Sequence, residues 1–210
     1  NNIYVNADIR ATGSTAGLII SGASDPLKIK AGKSITLSGT NPTFKINNDR
    51  YTVINTTASL SSVGISGYYA IGSDIDASAT AAWNNGTGFI PIATGSSFSG
   101  VMIGLGHTIS ELTINGNSNR EIGLFAKLSS TAKVSHLGLT DLKVNATTNT
   151  SYIGGITGQN DGTIDQSYVT GRINYSGSID ASIGGLVGTS TGTVRDSYAT
   201  VNLSGGTNAK

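Results

Sequence analysis

The sequence predicts an all-β fold, a parallel β-solenoid wound in coils of about 25–30 residues, from three observations. A glycine-rich unit repeats near the C-terminus, apolar residues come in short alternating groups, and charged residues make up only 12% of the 210. That charged fraction is about half the usual value of roughly 25%. Its place is taken by Ser, Thr, Asn and 29 Gly, the chemistry of turns and short strands.

The repeat is the strongest of the three. Residues 153–173 and 183–203 align without gaps at a spacing of 30, with nine of 21 pairs identical, among them the Gly-Gly, the Ser and the Tyr. Upstream, Ile122-Gly123-Leu124-Phe125 aligns with Ile153-Gly154-Gly155-Ile156. Earlier still, Ile109-Ser-Glu-Leu112-Thr-Ile114 matches Val134-Ser-His-Leu137-Gly-Leu139 at a spacing of 25. Helices are disfavoured because glycine recurs every few residues and no i, i+3, i+4 apolar series survives. The predicted core columns are Ile109/Val134/Ile164/Val194 and Ile114/Leu139/Val169/Ala199, with Tyr168 stacked on Tyr198. Val134 and Leu137 have odd spacing, so a bend must turn both inward. The Gly154-Gly155 and Gly184-Gly185 pairs are expected where neighbouring backbones approach closely.

From the N-terminus, residues 1–50 read as shorter coils of the same helix, with strands at Ile3–Val5, Leu18–Ile20, Leu27–Ile29, Ile35–Leu37 and Phe44–Ile46. Residues 51–98 are irregular and polar, hold the single Trp83, and are expected to pack on the helix. Residues 99–210 are the repeat coils, the whole forming one continuous solenoid. Neither end reads as capped, so further coils are expected beyond Lys210.

Composition excludes several classes. A formal net charge of +1 with scattered Lys and Arg argues against nucleic acid and anionic membrane as partners. No segment approaches the ~20 apolar residues of a membrane span. Without cysteine there is neither a disulfide nor a thiolate metal site. Asn1 opens directly into a strand-like stretch with no signal peptide, so the chain reads as an internal excerpt of something longer.

Gly184-Gly185-Leu186-Val187-Gly188 and Ser197-Tyr198-Ala199-Thr200 resemble the GLUG repeat. The upstream series resembles the segment that commonly precedes such repeats: Tyr51–Asn55, Asp74–Ser78, Trp83, Gly88-Phe89-Ile90-Pro91-Ile92, Phe98-Ser-Gly100 and Gly104–Ile109. Together, over about residues 35–203, they resemble large filamentous-haemagglutinin-like exoproteins of Gram-negative bacteria, exported by two-partner secretion. The resemblance implies a right-handed parallel β-helix, a secreted or cell-surface location, an outer-membrane transporter as export partner, adhesion to host cells or other surfaces, and no catalytic residues. Three positions depart from the pattern: Ile103 where Asp is usual, Val201 for a terminal Gly, and Ala93 for Gly. They read as tolerated corner changes.

Candidate chemistry is sparse. Asp74 and Asp76 stand two apart in a strand-like context, which puts both carboxylates on one face roughly 7 Å apart. That spacing suits an inverting glycoside hydrolase or a weak Ca²⁺ site, but with no third acid, Arg or His nearby in sequence the pair reads as solvated aspartates of a polar turn. His107 and His136 are the two histidines. His136 takes the place of Gln166 and Asp196 in later coils, as a surface position does, and no acid partner is evident for either, so neither zinc site nor triad is expected. Gly104-Leu-Gly-His lacks the Lys and helix of a phosphate loop. Repeated threonines such as Thr163/Thr193 form no Thr-x-Thr column of the ice-binding kind. Asn-x-Ser/Thr sequons occur at Asn55, Asn85, Asn145, Asn149, Asn174 and Asn202.

The reading that results is a non-enzymatic, cofactor-free, monomeric adhesin passenger: a stiff shaft with low-affinity contacts to a glycan or protein receptor through loops near residues 78–97 and 145–151. A carbohydrate-active β-helix resting on Asp74 and Asp76, and the scaffold of a contact-dependent toxin, are the alternatives.

Overall fold

In the computed structural model, residues 2–22, 27–116, 120–147, 152–177 and 180–205 are described. They form a parallel β-solenoid of about six turns with little helix, as the repeat predicts. From residue 121 onward each coil contributes four short strands. The coil in the middle runs Tyr152–Ile153, Thr157–Asn160, Thr163–Asp165 and Tyr168–Tyr175, each paired in parallel with its equivalents before and after. Lys133, Thr163 and Thr193 stand in one ladder at a spacing of 30 residues.

Side chains of one column pack along the axis. Val134, Ile164 and Val194 are in register as expected, but the residue below them is Met102. Ile109 pairs instead with Ile75 and Leu139, and the column continues to Val169 and Ala199. Ile114 belongs to a third column with Val144, Ile173 and Leu203. The match at a spacing of 25 was therefore one face out of register. The coil of residues 121–146 turns two corners five residues apart, and both carry the same local pattern. His136 (φ 55°) and Asp141 (φ 53°) are left-handed corner residues of one coil, and each is followed at once by a buried leucine, Leu137 or Leu142. Glu111 (φ 55°) aligns with Asp141 and not with His136. The bend expected between Val134 and Leu137 is thus present, and both side chains are fully buried.

Tyr168 and Tyr198 stack with centroids 5.3 Å apart and planes 7° apart. Gly138 sits beneath them, where a Cβ would lie 2.6 Å from the Tyr168 ring. At Gly155 a Cβ would stand 2.6 Å from the Gly185 carbonyl oxygen, so the Gly-Gly pairs do mark close approach between coils.

The N-terminal strands fall where the sequence puts them, with Ile9–Ala11 in addition. They make two coils whose equivalent residues are 24 to 26 apart. These coils enclose an apolar cluster of their own: Val5, Ile20, Leu27, Ile29, Ile35, Leu37, Phe44 and Ile46. After Asn47 (φ 54°) the chain reverses, and Thr43–Ile46 pairs antiparallel with Asp49–Ile54 before parallel pairing resumes at Tyr68–Ile71. The same cluster takes in Ala70, Ile103 and Leu105 from the outer surface of the main helix. Ile103, 6% exposed, is therefore no corner change: the N-terminal coils cover it, and an Asp there would be a buried charge.

One end of the main core is closed by residues 57–98. The short helix Thr57–Ser61, capped by reciprocal Thr56–Ser59 hydrogen bonds, inserts Leu60. Phe89, Ile92 and Phe98 complete the plug, Phe98 packing on Phe125 at 4.8 Å. This end of the main core is thus covered by a segment within the chain. At the other, the inward residues of the last described coil stay open: Val194 is 40% and Leu203 52% exposed, whereas Ile164 and Ile173 one coil below are fully buried.

Candidate functional site

Asp74 and Asp76 flank the buried Ile75, so strand alternation does turn both carboxylates outward. Each is occupied within the chain. Asp74 Oδ1 accepts from the Thr108 backbone N–H at 2.9 Å and the Thr108 hydroxyl at 3.2 Å, and lies 3.2 Å from His107 Nδ1. Burial acts to raise the Asp74 pKa, but the hydrogen bond from Thr108 and the His107 ring together hold it below the ordinary carboxylate value. Asp76 Oδ1 accepts the Ser78 backbone N–H at 2.9 Å, which lowers its pKa likewise. Among the described residues no group of three His, Cys, Asp or Glu gathers as metal ligands would.

His107 does have an acid partner, against the expectation from sequence. It is buried, its acid partner is Asp74, and its Nε2 lies 3.1 Å from the Ile35 carbonyl of the N-terminal coils. The ring therefore bridges the two packed units. The link spans 33 residues of sequence, and only the coil register, in which Ile109 pairs with Ile75, discloses it.

His136, Gln166 and Asp196 do share a corner column, beside a cavity of about 480 Å³ walled on its far side by Lys30 and Lys33. His136 Nε2 lies 3.4 Å from the Ile29 N–H.

The sequons divide by what their amides touch. Asn145 Nδ2 donates to Asn115 Oδ1 at 2.8 Å and Asn174 Nδ2 to Asn145 Oδ1 at 3.0 Å, forming an asparagine ladder up one face. It starts at Asn115 Nδ2 on the Gly86 carbonyl and ends with the Ser204 hydroxyl donating to Asn174. Asn55 Nδ2 donates to the Leu37 carbonyl. Asn85 and Asn202 are exposed, and Asn149 lies outside the described residues, as does most of the 145–151 loop.

A second cavity, of about 380 Å³, opens in the 78–97 segment between Trp83, Asn84, Phe89, Ile90, Val63 and Ser61. Its wall is a tight turn. Trp83 is extended, and Asn84, Asn85 and Gly86 follow at φ 52°, 55° and 85°, the left-handed region that Asn and Gly tolerate. The Gly88 N–H donates to the Trp83 carbonyl at 3.0 Å and Asn84 Nδ2 to the Gly88 carbonyl at 2.8 Å. Phe89 then joins the main helix through its N–H to Thr113. Trp83 is half-buried and Ile90 is 56% exposed. Ala93 on the same rim has φ 63°, so the departure from Gly there places a Cβ in a glycine conformation.

Comparison with known proteins agrees with this architecture. The family profile described as "The GLUG motif" matches residues 149–174, the coil centred on Thr157–Asn160. The chain is 37% identical over 114 residues, half its own length, to halomucin of Haloquadratum walsbyi, a large archaeal surface protein. That stretch spans 1% of halomucin. No solved structure matches. The chain accordingly carries a GLUG motif within its coils and is distantly similar to halomucin.

Proposed function

We propose that this chain is a segment of a secreted or surface-displayed adhesin: a monomeric, stiff β-helical shaft whose contact surface is the 78–97 excursion. The observation that carries the reading is the contrast along the molecule. Most of the chain lies in regular parallel ladders, and the 78–97 segment leaves them to present a half-buried Trp83 and an exposed Ile90 beside a cavity. The GLUG motif and the similarity to halomucin support a surface location. Export by two-partner secretion from a Gram-negative cell, through an outer-membrane transporter, and a host or surface glycan or protein as receptor, belong to the same proposal.

The chain is proposed to be without catalysis. Asp74 and Asp76 each accept hydrogen bonds inside the fold and no third acid joins them among the described residues. The test is binding of the purified chain to intact cells and a glycan array, beside an Asp74→Asn/Asp76→Asn variant. Saturable binding with no turnover, retained in the variant, is expected. Turnover that the variant loses would replace this reading with a carbohydrate-active one, and absence of all binding would leave the segment as shaft alone.

A further inference from the structure

We infer that the Trp83 cavity binds an uncharged pyranose unit of a glycan, an assignment that rests on the adhesive reading and gives its surface a ligand class. The cavity, about 380 Å³, falls within the roughly 300–1,000 Å³ range of small-molecule sites. Every residue lining it is uncharged. A sulfated, phosphorylated or uronic sugar would lose hydration there and gain no counter-charge.

The hydrogen-bonding groups left over on the rim match hydroxyls. Asn84 spends its Nδ2 on the Gly88 carbonyl, and its Oδ1 accepts nothing among the described residues. The Ser61 hydroxyl donates to the Ala58 carbonyl at 2.8 Å, which leaves its lone pairs as acceptors. Trp83 Nε1 donates to no described residue. Two acceptors and one donor on residues that line the cavity together with the apolar Phe89 and Val63 are a set that suits a ring with several O–H groups and a C–H face. An aliphatic peptide side chain would leave all three unmatched. The wall is already set by the Trp83–Gly88 and Asn84–Gly88 hydrogen bonds, so little ordering is required on binding.

Trp83 is the single tryptophan, so its fluorescence reports this cavity alone. The intact chain would be titrated with neutral trisaccharides (of glucose, mannose, galactose and N-acetylglucosamine) and with trigalacturonate. A saturable emission change with at least one neutral sugar at millimolar concentration or below is expected, with none from the uronate. The Ile90→Asp variant, altered at an exposed position that leaves the core intact, should bind at least tenfold more weakly. Preference for trigalacturonate would overturn the assignment. So would a chain that binds cells through Trp83, shown by loss of binding in Trp83→Ala, while no neutral sugar moves its emission. That second result would leave the adhesive reading intact and make the occupant a protein side chain. Failure of cell binding alongside a sugar response at Trp83 would instead sink the adhesive reading and spare the site.

Discussion

Four side chains show how a single residue follows from its place in the coil. Ala93 holds φ 63° with a Cβ, a conformation costing an L-residue about 1 kcal/mol or more. Ala93→Gly should therefore stabilise the chain by up to about 1 kcal/mol in urea unfolding, with the glycine's greater unfolded-state entropy offsetting part of the gain. Asp74 and Asp161 both titrate below the usual carboxylate value, Asp161 chiefly through the Thr191 hydroxyl and then Gln159 and Lys127. A depressed folded pKa contributes stability that is present above the unfolded value, about 3.9, and is lost as pH falls through the folded one. Melting temperature against pH should thus drop below about pH 4, and Asp74→Asn with Asp161→Asn should flatten that limb. Tyr168 is shifted the other way, raised by burial first and by Tyr198 and Asp74 after it. Its contribution is complete below about pH 10 and is lost as pH rises from there through the folded pKa.

At the scale of the element, the repeating strand and its corner are the unit, and depth in the stack sets what each is worth. Ile164→Ala removes a fully buried column residue and should cost about 2–5 kcal/mol. Val194→Ala changes the next residue in the same ladder, already 40% exposed, and should cost under about 1 kcal/mol. Similar losses at both positions would show that the last coil is covered in solution. This is also the scale at which sequence was most and least informative. The 30-residue spacing, the tyrosine stack and the N-terminal strands are all visible, because each is a local pattern repeated. The register of residues 109–114 was not, since Glu111, His136 and Asp141 all stand in left-handed corners just before a buried leucine. A motif that occurs at both His136–Leu137 and Asp141–Leu142 of one coil cannot by itself tell one corner from the next.

Over the whole molecule, two apolar clusters meet across one sheet surface, and His107 is buried at the seam. Ile35 N–H donates to the Leu105 carbonyl and Leu37 N–H to the Gly72 carbonyl nearby. His107→Ala would leave the Ile35 carbonyl without its ring partner and open a void. Stability should fall by about 1–3 kcal/mol, and hydrogen exchange should rise first in residues 27–46, before the coils beyond residue 120. Uniform loss of protection would mean the two units unfold as one. None of this seam was legible beforehand. Ile103 looked like a deviation and His107 like a histidine without an acid partner, because the N-terminal coils that meet both lie more than 50 residues away and Asp74 lies 33 away.

The parallel ladders also fix how the molecule meets a pull. Their hydrogen bonds run from coil to coil, along the axis and across the strands. Tension spread across a whole coil of the repeat region therefore falls on all four ladders of a junction at once, with the Asn115–Asn145–Asn174 amides beside them as a fifth line. Peeling from a free edge would instead open the bonds one after another. A tether built this way resists steady stretching far better than fraying, and its weakest point is whichever coil has its last face uncovered.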